Sequence, residues 1–301
     1  MVDLDTLASL DSLIWLQTGQ AVAERFTLHQ SSVSRNQQRC TELFGVQMQK
    51  VEGEWSVLGD STILNLEREV HQMARVLGHR PLRLEATYWS GPLLCSPTPE
   101  GWLLGTSNIV GVPRNLKLVR ERVVDAWLAG LPDLPEQDDP DLTAIVLSTM
   151  PVHCLVAANH PLAQQPFEAS RLSDFPSLAL PENSYPKVEA GLKAMGLWSS
   201  PVRMTRYRRD RWEGLTETAA TIGYGTALSE ELARRHGQPP QVRLPINLPF
   251  HSGEALVVRR ELVNQPVIQQ LISTLRERLQ PFSACFPEIQ LVNDHGAQSD
   301  E

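Results

Sequence analysis

Apolar residues recur at steps of three and four through the first stretch of the chain, at Leu4, Leu7, Leu10, Leu13, Ile14 and Leu16. That period predicts a helix with one wide apolar stripe. Thr18-Gly19 interrupts it, with Thr18 in position to cap the next helix. The segment QAVAERF predicts that second helix, whose Ala21, Val22 and Ala23 let a neighbour approach closely; TLH then breaks the pattern. A third helix is predicted from about Gln30 to Phe44, stopped by Gly45. From Ser61 to about His79, Ile63, Leu66, Val70, Met73 and Leu77 step by three, four, three and four, with Glu67, Arg68, Glu69 and Arg75 off the stripe. Those are heptad a and d positions. Two heptads do not hold as a free coiled coil, so the seam predicts one half of a dimer contact supported by other parts of the molecule.

After Arg80-Pro81 short β-type runs alternate with helical ones, the pattern of α/β domains. LRLEATYW, TAIVLS, HCLVAA and EALVVRR read as strands. RNLKLVRERVVDAWLAG, VEAGLKAM and QPVIQQLISTLRERLQ read as helices, and WEGLTETAATIGYGTALSEELARR as helix, glycine turn, short strand and helix. The acidic, proline-rich stretch from Pro132 to Asp141 reads as a loop. The last residues, 283–301, read as a polar tail.

With 301 residues there is material for two or three domains. Lys and Arg number 27 against 35 Asp and Glu, a net charge of −8. The protein as a whole therefore does not attract phosphate, and any nucleic-acid contact has to be local. Cys40, Cys95, Cys154 and Cys285 form no C-x-x-C pair, and His29, His153, His160 and His251 have no partners at metal-ligand spacing. No cofactor is expected. The acidic start of the chain does not read as a secretory signal, and no run of 18 apolar residues occurs, so a cytoplasmic protein without membrane contact is expected.

The pair QAVAERF and QSSVSRNQQR, joined by a short turn, has the texture of a helix pair that enters a DNA major groove. Gln30, Ser31, Ser34, Arg35, Gln38 and Arg39 can all donate hydrogen bonds, and spacing near four puts several on one face. Arg reads guanine bidentately, Gln reads adenine, and Ser mostly holds phosphate. A solvated polar face has the same pattern.

Here the sequence resembles the LysR-type transcriptional regulators. The register holds from Leu7 to Gly45, with Thr18 on the family's Ser cap and Ala23 on the second Ala of AAERL. H-Q-S-S-V-S-R at 29–35 is similar to S-Q-P-A-V-S-R, identical at Gln30, Val33, Ser34 and Arg35; Glu42 and Gly45 fall on LEEELG. LVAANHPLA at 155–163 resembles the element that enters the second effector subdomain, and TAATIGYGTAL at 218–228 the V-A-A-G-L-G-I-A-L turn. The resemblance implies an α plus α/β architecture. Residues 1–60 would form a winged helix-turn-helix and 61–80 a dimerising linker helix. Residues 81–282 would form a two-lobed effector domain like a periplasmic binding protein, with 81–150 plus 258–282 as one lobe and 159–250 as the other. The crossings fall near Pro151–Ala158 and Phe250–Val257. Implied partners are double-stranded promoter DNA, a small-molecule effector and further copies of the chain, as dimer or tetramer.

The sequence also departs from the family. Gln47-Met48-Gln49-Lys50 replaces LF-x-R, Cys40-Thr41 replaces Leu-Glu, and the wing EGEWSVLGD carries three carboxylates. Residues 1–60 hold four basic and eight acidic side chains, which predicts few phosphate contacts. A ligand-binding or interaction module with a degenerate reader stays open for that reason. A two-lobed enzyme is the further alternative, although no G-x-S-x-G, P-loop or dinucleotide fingerprint is present.

Hydroxyls and helix N-terminal amides suit anions. Thr87, Ser90, Thr106, Ser107, Ser148 and Thr149, with Thr218, Thr221 and Tyr224 opposite, are accordingly the candidates for holding a small, anionic effector. Arg203, Arg206, Arg208, Arg209 and Arg211 beside Tyr207 and Trp212 form the densest cationic stretch. An anionic effector, the 133–141 loop, DNA backbone or plain solvation are its possible partners.

Overall fold

The computed structural model describes residues 2–292 apart from 27, 28, 52, 165 and 219, and the backbone alone of Glu217 and Thr218. The head consists of α1 (Leu4–Leu16), α2 (Gly19–Phe26), α3 (Gln30–Phe44) and the antiparallel hairpin of β1 (Gln47–Val51) and β2 (Glu54–Leu58). Asp3 caps α1 by accepting the Thr6 N–H at 2.8 Å. Gly45 takes φ +65° and turns α3 into the hairpin. Val22, Val33, Cys40 and Phe44 point inward with Leu7 and Leu10. Thr27 and Leu28 of the expected turn between α2 and α3, and Glu52 of the wing, lie outside the described residues.

The linker helix α4 (Thr62–Val76) is turned the opposite way from an ordinary surface helix. Arg68, His71, Gln72 and Arg75 are buried, while Ile63, Leu66, Val70, Met73 and Leu77 stand 44–67% exposed.

Lobe one contains β3 (Leu82–Ala86), α5 (Ser90–Leu94), β4 (Trp102–Leu104), α6 (Val112–Arg120), β5 (Ala126–Gly130) and β6 (Leu142–Val146). The helix read through RNLKLVRERVVDAWLAG stops at Arg120, and AWLAG is the strand β5. A strand buried on both faces is uniformly apolar, so its period cannot be told from that of a buried helix.

The chain leaves through β7 (Ser148–Pro151) into lobe two: β8 (His153–Val156), α7 (Pro161–Gln164), β9 (Leu178–Ala179), α8 (Pro186–Lys193), β10 (Ser200–Pro201), α9 (Glu213–Thr218), β11 (Gly223–Gly225), α10 (Ala227–Arg235) and β12 (Val242–Arg243). It returns through β13 (His251–Ser252) to β14 (Glu254–Arg259), α11 (Pro266–Cys285) and β15 (Gln290–Leu291).

The lobe-one sheet runs β4-β3-β5-β14-β6, with β3 parallel to β4 and β5, and β14 antiparallel to β5 and β6. Lobe two has β11-β8-β12 and the pair β10-β9. Between the lobes β13, β7 and β15 pair antiparallel, with His251 opposite Pro151 and Ser252 opposite Met150. The crossings are therefore shorter than the sequence suggests: β8 already belongs to lobe two and β14 to lobe one. The expected tail at 283–301 also begins later. Residues 283–285 are helical, Ile289 is buried, and β15 pairs with β7 because alternate residues there have an edge to join. Residues 293–301 lie outside the described residues.

The head is not an independent core. Leu13, Ile14, Trp15 and Leu16 of α1 pack in one cluster with Ile109, Val112, Leu118 and Val119 of lobe one. The Trp15 indole N–H donates to Glu85 on β3 at 2.5 Å, and a Cβ on Gly105 would fall onto both groups, so glycine is required there. Asp11, 1% exposed, accepts from Arg68 Nε at 2.9 Å and lies 3.5 Å from Arg83. Asp125 accepts from Arg75 Nε and Nη2 at 2.8 Å, Gln72 at 2.9 Å and the Arg83 N–H at 2.8 Å. Asp11→Ala strands two buried guanidinium groups. Denaturant titration should show a loss of about 3–5 kcal/mol, and a change below about 1 kcal/mol would show that this cluster does not hold the head.

Candidate functional site

Two surfaces carry the candidate chemistry. On α3, Val33, Cys40 and Phe44 face the core, so the helix period turns Gln30, Ser31, Ser34, Arg35, Gln38 and Arg39 outward; all six are exposed. The head's acidity is largely spent internally. Asp5 pairs with Arg80, Asp11 with Arg68 and Arg83, and Glu54 with Arg114 and Arg206, five arginines from outside residues 1–60. Asp60 caps α4 through Thr62. Two of the three wing carboxylates, Glu54 and Asp60, therefore have internal partners.

Arg206 is the joint between head and lobes. Its Nε and Nη2 donate to the two oxygens of Glu54 at 3.0 Å each, Nη2 also donates to the Trp15 carbonyl at 3.0 Å, and Nη1 donates to Asn108 Oδ1 at 3.1 Å. One guanidinium thus touches the wing, α1 and lobe one. Its backbone belongs to a segment from lobe two bridged to Ile109 of lobe one. The cationic stretch is not a single patch: Arg208 pairs with Asp210 and Arg209 with Glu213. The 133–141 loop is engaged elsewhere, with Asp139 on Arg120 and Asp133 accepting the Lys187 and Val188 N–H groups at the start of α8 at 2.8 and 3.2 Å.

That capping of a lobe-two helix by a lobe-one carboxylate helps to close the cleft. So do the Gly111 N–H donating to the Tyr185 hydroxyl at 3.3 Å and the stacked rings of Tyr88 and Tyr207, 3.6 Å apart and 4° from parallel. The cleft encloses about 140 Å³ and is walled by Tyr88, Tyr207, Trp198, Trp212, Met204 and Phe250 among others. Of the sequence candidates, Thr87 and Tyr224 line it, and Ser90 lies directly behind Thr87. Thr106, Ser107, Ser148, Thr149 and Thr221 are not in its wall. Thr106 faces Arg206 and the head, Ser107 is buried beside Glu85, Ser148 accepts the Glu254 N–H, Thr149 pairs with β15, and Thr221 is buried off the cleft. The Thr218 side chain lies outside the described residues. Hydroxyl spacing does not separate these roles. Nor does it reveal the aromatic wall, whose members come from seven separate places along the chain, with only Tyr88-Trp89 adjacent in sequence.

Behind the cleft, Glu254 is fully buried and accepts hydrogen bonds from the Ser90 hydroxyl and, at 2.9 Å, from the Trp89 indole. Burial pushes its carboxyl up to about 7, against the pull of those two donors. Burial also pushes the Cys40, Cys95 and Cys154 thiols up to about 12. Cys40 is a core residue that reaches toward the Thr6 carbonyl at 3.6 Å. Among the described residues no group of three or more His, Cys, Asp or Glu is placed to hold a metal ion, and no helix is long and apolar enough to cross a membrane.

These environments can be tested in solution. Under native conditions a soluble alkylating reagent should modify Cys285, the exposed cysteine, and leave the other three intact by mass spectrometry; rapid loss of the Cys40 thiol would contradict its burial. Glu254 holds its proton more tightly folded than unfolded, so its contribution to stability is full below the ordinary carboxyl range and lost as pH rises through about 7. Glu254→Gln should remove that loss, and melting temperatures of variant and wild type should diverge in the variant's favour between pH 5 and pH 8. A constant offset would place the carboxyl's titration elsewhere.

Residues 110–280 match the family described as the LysR substrate binding domain. Among curated proteins no sequence matches the chain. Solved structures of the same overall fold include a cysteine-to-aspartate variant of full-length OxyR from Pseudomonas aeruginosa, at 16% identity over 92% of this chain and 95% of that one, TM-score 0.56. ArgP from Mycobacterium tuberculosis is similar at 17% identity over 92% and 97%, TM-score 0.53. Full-length CbnR, solved with its target DNA, is similar at 14% identity over 92% and 99%, TM-score 0.53. With more than half of its length matched, and with a helical head, linker helix and two hinged lobes in that order, the chain belongs to the family of LysR-type transcriptional regulators.

Proposed function

We propose that the protein reads double-stranded promoter DNA in the cytoplasm with α3 of two copies, paired through α4, and that a small molecule between its lobes alters how the two readers sit. The observation that carries this reading is the exposed polar face of α3, held by a head that is packed on lobe one. The fold shared with CbnR, which was solved on its target DNA, supports the same use of α3. A two-fold pair of readers calls for half-sites about one helical turn apart, or a multiple of it.

The α4 stripe supports the pairing. Five large apolar side chains turned to water on a helix whose polar face is buried form a patch that a second copy would cover. The protein works by binding rather than by catalysis. A ligand that changes the spacing of Tyr88 and Tyr207 displaces the segment that carries Arg206, and Arg206 holds Glu54 of the wing; the lobes thereby bias the reader. The acidity that pointed to a degenerate reader loses force, because three head carboxylates are neutralised by arginines from outside it.

Arg35→Ala should weaken binding to the chain's own upstream DNA by about 1–3 kcal/mol, roughly five- to 150-fold in a gel shift, with the fold unchanged. Equal retardation of wild type and variant on specific and random DNA would remove α3 as the reader. Leu66→Glu combined with Val70→Glu should yield monomers in sedimentation, and an unchanged oligomer would place the pairing surface elsewhere.

A further inference from the structure

We propose that the cleft takes an uncharged ligand built on a single aromatic or similarly flat apolar ring, and that Glu254 is the residue that turns carboxylates away. This rests on the interlobe cleft being the effector site.

An anion needs a cation or free donors. Among the described residues no Arg, Lys or His lines the cleft. At its polar end the donors are spent inward. The Ser90 hydroxyl donates to Glu254, so the Thr87 hydroxyl, 2.5 Å away, donates to Ser90. The Ser90 and Gly91 N–H groups donate back to Thr87, at 3.3 and 2.9 Å. The Trp89 indole N–H is held by Glu254. At the opposite rim Thr226 and Ser229 satisfy one another as a capping box. A ligand carboxylate seated at Thr87 would therefore meet oxygen lone pairs, with a buried acidic group directly behind them, an arrangement that disfavours a second negative charge. The remaining wall is aromatic and aliphatic apart from Ser252, and the 140 Å³ is close to the roughly 150 Å³ apolar cavity known to accept benzene. The anionic effector expected from hydroxyl spacing thus gives way to a neutral one, because those hydroxyls serve Glu254.

The test is a fluorine NMR titration of the full-length protein with 4-fluorobenzamide and 4-fluorobenzoate, which match in shape and differ in charge. At pH 8 the amide should bind at least tenfold tighter. Val188→Phe, which fills the cleft from α8, should abolish its binding, with Val110→Phe in its place if that variant fails to fold by circular dichroism. Glu254→Gln should narrow the preference several-fold. Benzoate binding as tightly as the amide, and lost on filling the cleft, would overturn the ligand class and leave the cleft as the effector site. Binding of both probes untouched by the filling variants would overturn the site itself. No binding of the amide at several millimolar would overturn the class, and an unchanged preference in Glu254→Gln would remove Glu254 from the assignment.

Discussion

The buried charge network of Asp11, Arg68, Arg83, Arg75 and Asp125 is the constraint on which the molecule's design rests. Each carboxylate is shared between a guanidinium of α4 and Arg83 of β3, through its side chain at Asp11 and its backbone N–H at Asp125. Desolvating such charges is costly, and their mutual pairing offsets the cost. Head, linker helix and lobe one therefore form a single body. The inversion of α4 is a direct consequence: its polar side is taken up by the network, so its apolar side is turned outward.

Lobe two contributes no residue to that network, and Arg206 is where it meets the head. Its guanidinium is fixed by groups from the wing, from α1 and from lobe one, while its neighbour Tyr207 forms part of the cleft wall by stacking on Tyr88. Cleft and wing are thus separated by one residue of backbone. Asp133 at the start of α8 is a second interlobe contact, on a different segment from the joint.

The parts of this arrangement that are legible in the sequence are those with a local period. The 3.6-residue repeat of Leu4 to Leu16, the heptad of Ile63 to Leu77 and the exposed positions of α3 come from side-chain spacing alone. The ambiguous parts are the ones set by tertiary context. AWLAG reads as the end of a helix because a fully buried strand has no polar face to reveal its period. Ile289 to Leu291 resembles the start of a tail because too few residues are involved to show alternation. The cleft is least legible: its hydroxyls are visible, but their partner Glu254 lies more than 160 residues away, and the aromatic wall is assembled only by folding. The same holds for Arg206, which is visible as one of five clustered arginines and distinguished from them only by Glu54.

The most direct measurement of the coupling is hydrogen exchange across β1 and β2 in Tyr207→Ala, Arg206→Ala and the double variant, with the wild type as reference. If Arg206 carries the state of the cleft to the wing, Tyr207→Ala raises wing exchange on its own and adds nothing once Arg206 is gone. Equal increments from Tyr207→Ala with and without Arg206 would show that the cleft and the reader do not communicate through this joint.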